Sequence, residues 1–164
     1  DEIGMKYAEN LPTKEGGYTR TGTRTPMQWD NSVNCGFSKA PAEKLYLPVN
    51  RDGLSVQEAA SRQDSLYGIL KAMIGVRHAH PEFAADAPFE VVIGRKDAPF
   101  VFKRGDLMVM VNPSEKPKNL DFVGMAGFDI GFDCRKLLGI GDVNFTGMSL
   151  YMGGQSFGIF KKGR

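Results

Sequence analysis

The stretch RTGTRTPMQWDNSVNCGF, residues 20–37, contains two arginines four residues apart and the only tryptophan of the chain. It follows neither the 3.6-residue period of a helix nor the two-residue period of a strand. The same irregularity extends over residues 1–53, although large apolar side chains such as Trp29, Phe37 and Tyr46 recur there. A connection this long without regular structure is unusual inside a compact domain, and such side chains need a surface to pack on. We therefore expect residues 1–53 to lie against a surface most of which is outside this chain.

Composition bounds the class of protein. The chain has 164 residues, of which 41% are hydrophobic and 24% charged, with a net charge of +2. These values favour a folded domain over disorder, and 20 glycines suit a turn-rich, largely β protein better than a helical bundle. The basic run Lys161-Lys162-Gly163-Arg164 is interpreted as a solvated tail, so no nucleic-acid partner is expected.

Targeting and cofactor signals are sparse. No stretch is long and apolar enough to predict a membrane span, and the start DEIGMKYAEN suggests a processed or excised segment. Cys35 and Cys134 are far apart and have no metal-like spacing. No glycine-rich loop opens a helix in the manner of a phosphate site. The sequence predicts no cofactor and no metal, and it leaves the compartment open, with the cytoplasm favoured over the periplasm.

Residues 55–79 predict two helices. Ser55-Val-Gln-Glu58 has the pattern of a capping box and should open a short helix that ends near Arg62. A second helix should begin after Asp64 or Ser65 and stop at Pro81. Its apolar stripe at helical spacing consists of Leu66, Ile69, Leu70, Met73, Ile74 and Arg77.

From about residue 84 onward the pattern is that of β-strands. Short apolar or alternating runs are separated by glycine, asparagine and aspartate, and Arg104-Gly105-Asp106 predicts a tight hairpin turn. The clearest runs are FEVVI (89–93), PFVFKR (99–104), LMVMVN (107–112) and SFGIFKK (156–162), with further candidates in NLDFV, GFDIGFDCRKLL and NFTGMSLYM. Such a series predicts an antiparallel sandwich or barrel.

The order of motifs is characteristic. The chain reads DEIGM, RTPMQWD, NSVNCGF, YLPVN, an amphipathic helix ending in VRHAHPEF, then PFVFKRGDLMVMVNPS and a terminal aromatic strand. In that order it resembles, over essentially its whole length, the C-terminal part of α-glucosidase-type members of the α-amylase family, glycoside hydrolase family 13. Oligo-1,6-glucosidases, trehalose-6-phosphate hydrolases and trehalose synthases would be close relatives.

The resemblance implies an α+β fragment in two parts. Residues 1–83 would be the end of a (β/α)8 barrel, with a long loop (1–53) and closing helices (55–79), and residues 84–164 would be the β-sandwich called domain C. The catalytic aspartate, the glutamate acid/base and the second aspartate of the family come from strands that this chain lacks. A retaining glycosidase needs two carboxyl groups about 5–5.5 Å apart, whereas Asp1 and Glu2 are adjacent and Asp30 has no evident partner. The sequence therefore predicts no catalytic residue here.

Arg24 is the principal candidate for substrate binding. The resemblance places the arginine of RTPMQW in the innermost sugar subsite, and a guanidinium donates in a fixed fork to neighbouring oxygens. Without the family, a surface ion pair would be the ordinary interpretation of a loop arginine. Because the aspartate that pairs with it in relatives is missing, Arg24 should be exposed or disordered.

Other candidates are weaker. Arg20 and Tyr18 could line the outer pocket, and Glu2 could contact ligand, although a solvated cation and a structural acceptor are the plainer interpretations. Trp29 is predicted to be a packing anchor rather than a sugar platform.

The remaining candidates are expected to be structural. His78 and His80 are not at metal spacing and are interpreted as caps of a helix C-terminus. Cys35 is expected to be a small, buried or partly buried filler. Gly105, Gly153 and Gly154 are expected in turns.

The first functional hypothesis is the C-terminal part of a retaining enzyme that acts on α-glucosidic oligosaccharides, inactive alone and completed by the missing barrel of the same polypeptide. A trehalose synthase-like glucosyltransferase parent is left open.

Two other classes compete with it. One is a carbohydrate-binding β module, although most of Phe100, Phe102, Phe157 and Phe160 should point into the sandwich. The other is an interaction role, in which the helical stripe over residues 60–77 mediates a homodimer.

Overall fold

The computed structural model describes residues 3–11, 19–122 and 134–163, and the chain divides into two compact units between Ala72 and Met73. This division falls inside a helix, whereas the sequence prediction places the domain boundary at residues 83/84. The predicted fold class, a helical region followed by antiparallel β-structure, is confirmed.

The first unit is irregular up to residue 55. Its described residues there form only short 3₁₀ turns, at Thr19–Thr23, Val33–Gly36 and Ala42–Lys44. Helix α1, Val56–Ser61, opens with the predicted capping box: Ser55 Oγ accepts from the Glu58 amide at 3.2 Å, and Glu58 Oε2 accepts from the Ser55 amide at 2.9 Å. The capping signal therefore specifies this helix locally.

Helix α2 spans Leu66–Ala79. Ser65 is its cap, because Ser65 Oγ accepts from the Gly68 amide at 3.0 Å. None of the described side chains of α2 is buried, and its apolar stripe is exposed at Leu66, Leu70, Met73 and Ile74. The stripe predicted from sequence is therefore present but uncovered in this chain.

Eight strands are described in the second unit. They are β1 Glu90–Ile93, β2 Phe100–Arg104, β3 Leu107–Asn112, β4 Lys118–Asp121, β5 Cys134–Ile140, β6 Val143–Phe145, β7 Ser149–Met152 and β8 Ser156–Lys162. One sheet has the order β1-β2-β3-β8-β5 and the other β4-β7-β6, with antiparallel pairing throughout. The part of the candidate strand GFDIGFDCRKLL before Cys134 lies outside the described residues.

The sandwich core lies between the two sheets. Val101 pairs with Met110, which pairs with Gly158, so the inner positions of three strands lie side by side. The buried cluster consists of Ile93, Val101, Met108, Met110, Phe122, Val143, Leu150, Met152 and Phe160. Gly105, at φ +56°, makes the predicted turn between β2 and β3, a conformation that glycine adopts without steric cost.

The expectation that most of the four phenylalanines point into this core is wrong. Phe160 does, but Phe100 is exposed and Phe102 half-buried, on the face opposite the buried Val101. Phe157 is also outside the buried cluster. The run FVF is apolar at every position, so a two-residue period cannot say which face is inward.

The connection after α2 is held to the second unit by polar contacts. In the 3₁₀ turn Pro81–Phe83, Glu82 accepts from Lys161 Nζ at 3.1 Å, and His80 Nδ1 lies 3.8 Å from the same carboxyl group. Arg104 donates to the carbonyl of Ala87 at 3.1 Å. His78 lies in the last turn of α2, as predicted for a capping cation.

Candidate substrate-binding site

Arg24 is positioned by the 3₁₀ turn Thr19–Thr23 that precedes it. The Arg24 amide donates to the Thr21 carbonyl at 3.0 Å, and the Ala8 amide donates to the Gly22 carbonyl at 3.1 Å. A Cβ on Gly22 would lie 2.2 Å from the Ala8 carbonyl oxygen, so only glycine allows this approach. The backbone at the base of Arg24 is thus fixed against residues 7 and 8.

The rest of the RTPMQWD motif is bonded to the start of α1. The carbonyls of Gln28 and Trp29 accept from the Val56 and Gln57 amides at 2.7 and 3.0 Å. The first amides of a helix have no partner within it, so the motif satisfies two of them. This explains how an extended segment without secondary structure of its own is held in place.

A left-handed turn follows at Asn34, Cys35 and Gly36, whose φ angles are 51°, 53° and 71°. Two consecutive non-glycine residues in this region are uncommon, because left-handed residues usually occur singly. The turn is held by the Asn34 carboxamide, which donates to the carbonyls of Ser38 and Ala40 at 2.9 and 2.7 Å. The Cys35 carbonyl accepts from the Trp29 and Asp30 amides at 2.9 and 3.2 Å.

These elements form a concavity of about 210 Å³ beside Arg24. It is lined by Arg24, Thr25, Pro26, Phe37 and the run Leu45–Leu47. Two of the lining rings are half-exposed, Phe37 at 48% and Tyr46 at 50%. A guanidinium between apolar ring faces suits a pyranose, because it donates to hydroxyls while the rings pack on C–H groups.

The structure places the predicted site residues unequally. Arg24 is exposed, as expected, and Arg20 is exposed on the preceding turn. Tyr18 and Glu2 lie outside the described residues. Trp29 is 51% exposed, so the expectation of a packing anchor is wrong for this chain, since the described residues leave half of the indole uncovered. Cys35 is buried as predicted, and neither cysteine is in a disulfide.

Sequence reasoning missed Phe37 and Tyr46 as lining residues of the Arg24 concavity. Both were treated as apolar side chains in need of a surface. The available signal was the Asn-Cys-Gly turn immediately before Phe37, since a reversal of the chain there brings residues 37 and 45–47 back towards Arg24. Spacing along the sequence could not show that reversal.

Electrostatics in the described residues do not favour acid catalysis. Hydrogen bonds from the Ser32 hydroxyl and amide lower the pKa of Asp30, and hydrogen bonds from the Ser55 amide, the Ser55 hydroxyl and Asn31 lower the pKa of Glu58. The pKa of Asp64 is lowered by hydrogen bonding to Arg62, and that of Glu82 by its own backbone amide and by Lys161. A general acid for glycoside cleavage needs a raised pKa, the opposite of all four.

No metal or membrane element is found in the part of the chain that the structure describes. There, no group of three or more His, Cys, Asp or Glu side chains could hold a metal ion. None of the described helices has the length and apolarity to cross a bilayer.

Comparison with known families decides the identity. The family profile for the alpha-amylase catalytic domain matches residues 1–86. The chain belongs to the α-amylase family. The recognition made from RTPMQWD and the motifs around it is thereby confirmed.

Individual relatives agree with this assignment. The chain is 33% identical over 124 residues to trehalose synthase/amylase TreS of Mycobacterium tuberculosis, covering 68% of this chain and 20% of that protein. It is 31% identical over 108 residues to an oligo-1,6-glucosidase of Heyndrickxia coagulans, covering 62% of this chain and 19% of the relative. The chain therefore spans about a fifth of the length of these α-amylase relatives.

A solved structure shows the same fold. The trehalulose synthase MutB of Pseudomonas mesoacidophila superposes with a TM-score of 0.67 at 21% identity, over 87% of this chain and 26% of MutB. At this identity the match supports the architecture alone.

Proposed function

We propose that this α-amylase-family chain is the C-terminal part of a retaining α-glucosidase-like enzyme that acts on α-glucosidic oligosaccharides. Two observations support the proposal. The family match covers residues 1–86, and the chain corresponds to about a fifth of its curated relatives. The missing barrel of the same polypeptide would then be the principal partner of the first unit.

Arg24 carries the proposal for substrate binding. It is exposed at the edge of a concavity with two half-exposed rings, and its backbone is fixed through Gly22. A permanently charged fork that donates to vicinal hydroxyls would bind the terminal glucose. Arg20, Tyr18 and Glu2 are kept as secondary candidates for the same pocket.

The chain alone is proposed to be inactive. Retaining hydrolysis requires one ionised and one protonated carboxyl group at short separation. The four displaced carboxyl pKa values in the described residues are all lowered, so these groups are held ionised. What the chain supplies is a binding residue and scaffold rather than the reacting groups.

An α-glucoside hydrolysis assay tests this proposal. The purified chain should release no glucose from p-nitrophenyl α-glucoside or isomaltose above the buffer rate. Turnover that is abolished by Asp30→Asn or by another single Asp or Glu substitution would overturn the proposal, because the site would then be inside the chain.

A transglucosidase parent is the second candidate, since the TreS match covers more of this chain than the oligo-1,6-glucosidase match. A parent of this kind would convert maltose mainly to trehalose, whereas a hydrolase would release glucose. Product analysis of the longer polypeptide by chromatography separates the two.

A carbohydrate-binding β module is a further candidate, favoured by the aromatic cluster on the outer face of the larger sheet. Phe89 and Phe102 have ring centroids 5.0 Å apart, and those of Phe100 and Phe102 are 5.4 Å apart. NMR titration with maltose should shift these three residues if the module binds sugar, whereas the α-glucosidase proposal expects no shift there.

A homodimer is proposed through the uncovered stripe of α2. Leu66, Leu70 and Met73 are exposed, and contiguous apolar patches of this kind tend to be covered. Analytical ultracentrifugation should show a dimer that Leu70→Glu dissociates; a monomer at all concentrations would contradict this proposal.

A further inference from the structure

We propose that a second concavity, next to the one at Arg24, binds the following sugar unit of an α-glucosidic oligosaccharide. This concavity has a volume of about 550 Å³ and is lined by Asp30, the run Ser32–Val33 and the run Gly36–Lys39. The inference rests on the proposed function, because it takes the Arg24 concavity as the site of the terminal glucose.

Phe37 joins the two concavities. It is the residue that lines both of them, with Arg24 and Tyr46 on one side and Asp30 and Lys39 on the other. Its ring is 48% exposed. A ligand that fills both concavities must therefore pass over the Phe37 side chain, and a chain of sugars linked end to end has the shape for this path.

The lining of the second concavity has the chemistry of a sugar site. Asp30 supplies a carboxylate, Ser38 a hydroxyl and Lys39 an ammonium group, while Val33 and Phe37 supply apolar surface. A carboxylate has about four acceptor positions, of which Ser32 uses two through its amide and hydroxyl at 2.8 and 2.5 Å. Few polar groups around apolar and aromatic walls are typical of small-molecule sites of about 300–1,000 Å³.

The site is held rigid by an uncommon backbone. Asn34, Cys35 and Gly36 are all left-handed, and a Cβ on Gly36 would lie 2.7 Å from an Asp30 carboxylate oxygen. Sparsely populated conformations persist where the surroundings over-determine them, and they cluster at ligand sites. Here the Asn34 carboxamide and the Cys35 carbonyl fix both ends of the turn, so Asp30 and Phe37 are placed before ligand arrives.

Rigid placement matters because the groups are exposed. Ordering flexible side chains on binding lowers affinity, whereas a preorganised site avoids that loss. The sites on a chain of this kind should bind weakly but with a clear dependence on ligand length. The specificity of the second concavity is then for a second hexose α-linked to the first.

The experiment is an ¹⁵N NMR titration of the whole chain with methyl α-glucopyranoside, isomaltose and isomaltotriose. The monosaccharide should shift the amides of Thr25 and of residues 45–47. The two oligosaccharides should also shift Ser38 and Lys39, with a Kd about tenfold lower than that of the monosaccharide, as one aromatic contact provides. Phe37→Leu, which keeps apolar volume but removes the ring face, should abolish the tenfold gain.

The controls separate this inference from the proposed function. Phe89→Ala removes an equally exposed ring from the second unit and should leave every Kd unchanged. Equal Kd values for all three sugars, with shifts only at the Arg24 concavity, would overturn the second subsite and leave the proposed function intact. Shifts at Ser38 and Lys39 without any near Arg24 would overturn the assignment of Arg24, and the inference with it.

Two outcomes complete the test. No shift at either concavity with any of the sugars would overturn the second subsite, while the proposed function is judged independently by the hydrolysis assay. A Phe37→Leu chain that keeps the tenfold gain and a dispersed spectrum would overturn the role of the ring.

Discussion

The two units of the chain differ in how they treat their apolar side chains. Of the fifteen buried hydrophobic residues among the described ones, three precede Met73 and twelve follow it, while the exposed large hydrophobics divide seven and seven. The second unit encloses a core between two sheets, whereas the first leaves Trp29, Phe37 and Tyr46 half-exposed. An apolar region that does not enclose its own core is one whose sequence fits a surface elsewhere.

This difference also separates structure from function. In the second unit, burial explains the residues at inner strand positions, as for Val101 and Met110. In the first unit, hydrogen bonds explain the backbone, through Gly22, Gln28 and Asn34, and the side chains that project from it are left available for ligand or for a barrel wall.

The strongest way to break the comparison is a pair of truncations. Met110→Ala removes a side chain with 0% exposure and should lower the free energy of unfolding by about 2–5 kcal/mol. Trp29→Ala removes a larger side chain that is half-exposed and should cost within about 0.5 kcal/mol in the chain alone. Urea unfolding followed by circular dichroism measures both, and a larger loss for Trp29→Ala would contradict the contrast.

Arg24 sharpens the comparison in the longer polypeptide that the proposed function implies. Arg24→Gln should lower kcat/KM for isomaltose roughly 100- to 1,000-fold, since a charged donor to the substrate is lost. Arg95→Gln, which changes an exposed arginine between β1 and β2, is the matched control and should leave kcat/KM unchanged. An Arg24→Gln enzyme with full activity would remove Arg24 from the substrate site.

Two glycines in α2 give a smaller and opposite pair of effects. Gly75 has nothing within 4 Å of a built Cβ, so Gly75→Ala should stabilise by about 1 kcal/mol through helix propensity. At Gly68 the added Cβ would lie 2.4 Å from the Arg62 carbonyl oxygen, so Gly68→Ala should destabilise. Thermal unfolding of both variants checks the signs, and equal signs would show that the start of α2 is not packed as described.

The smallest effect is a pH dependence of the first unit. The lowered pKa of Glu58 means that its contribution to stability is complete above the ordinary glutamate value of about 4.3 and is lost as the pH falls through the lower folded value. Glu58→Gln should therefore flatten the stability curve between about pH 5 and pH 3. Unfolding midpoints across that range measure it, and parallel curves for the two proteins would contradict the capping role.

Much of the fold was predictable because its signals are local. The capping box at Ser55 and Glu58, the cap at Ser65 and the short apolar runs of β1 to β3 each depend on neighbouring residues. The facing of Phe100 and Phe102 was not predictable, because an unbroken apolar run carries no information on which side is buried.

The candidate site was predictable only in part. Arg24 followed from a motif, but Phe37 and Tyr46 joined it through a left-handed turn whose φ values the sequence Asn-Cys-Gly does not specify. The exposure of Trp29 depends on surfaces that the described residues do not contain.

Amide hydrogen exchange on the chain alone tests the central contrast most directly. Amides of β3 and β8 should exchange only through global unfolding, while those of residues 29–47 should exchange through local opening, at least roughly 100-fold faster. Equal protection in the two regions would show that the first unit is as self-sufficient as the second, and it would contradict the view that its apolar side chains belong to an interface with a missing barrel.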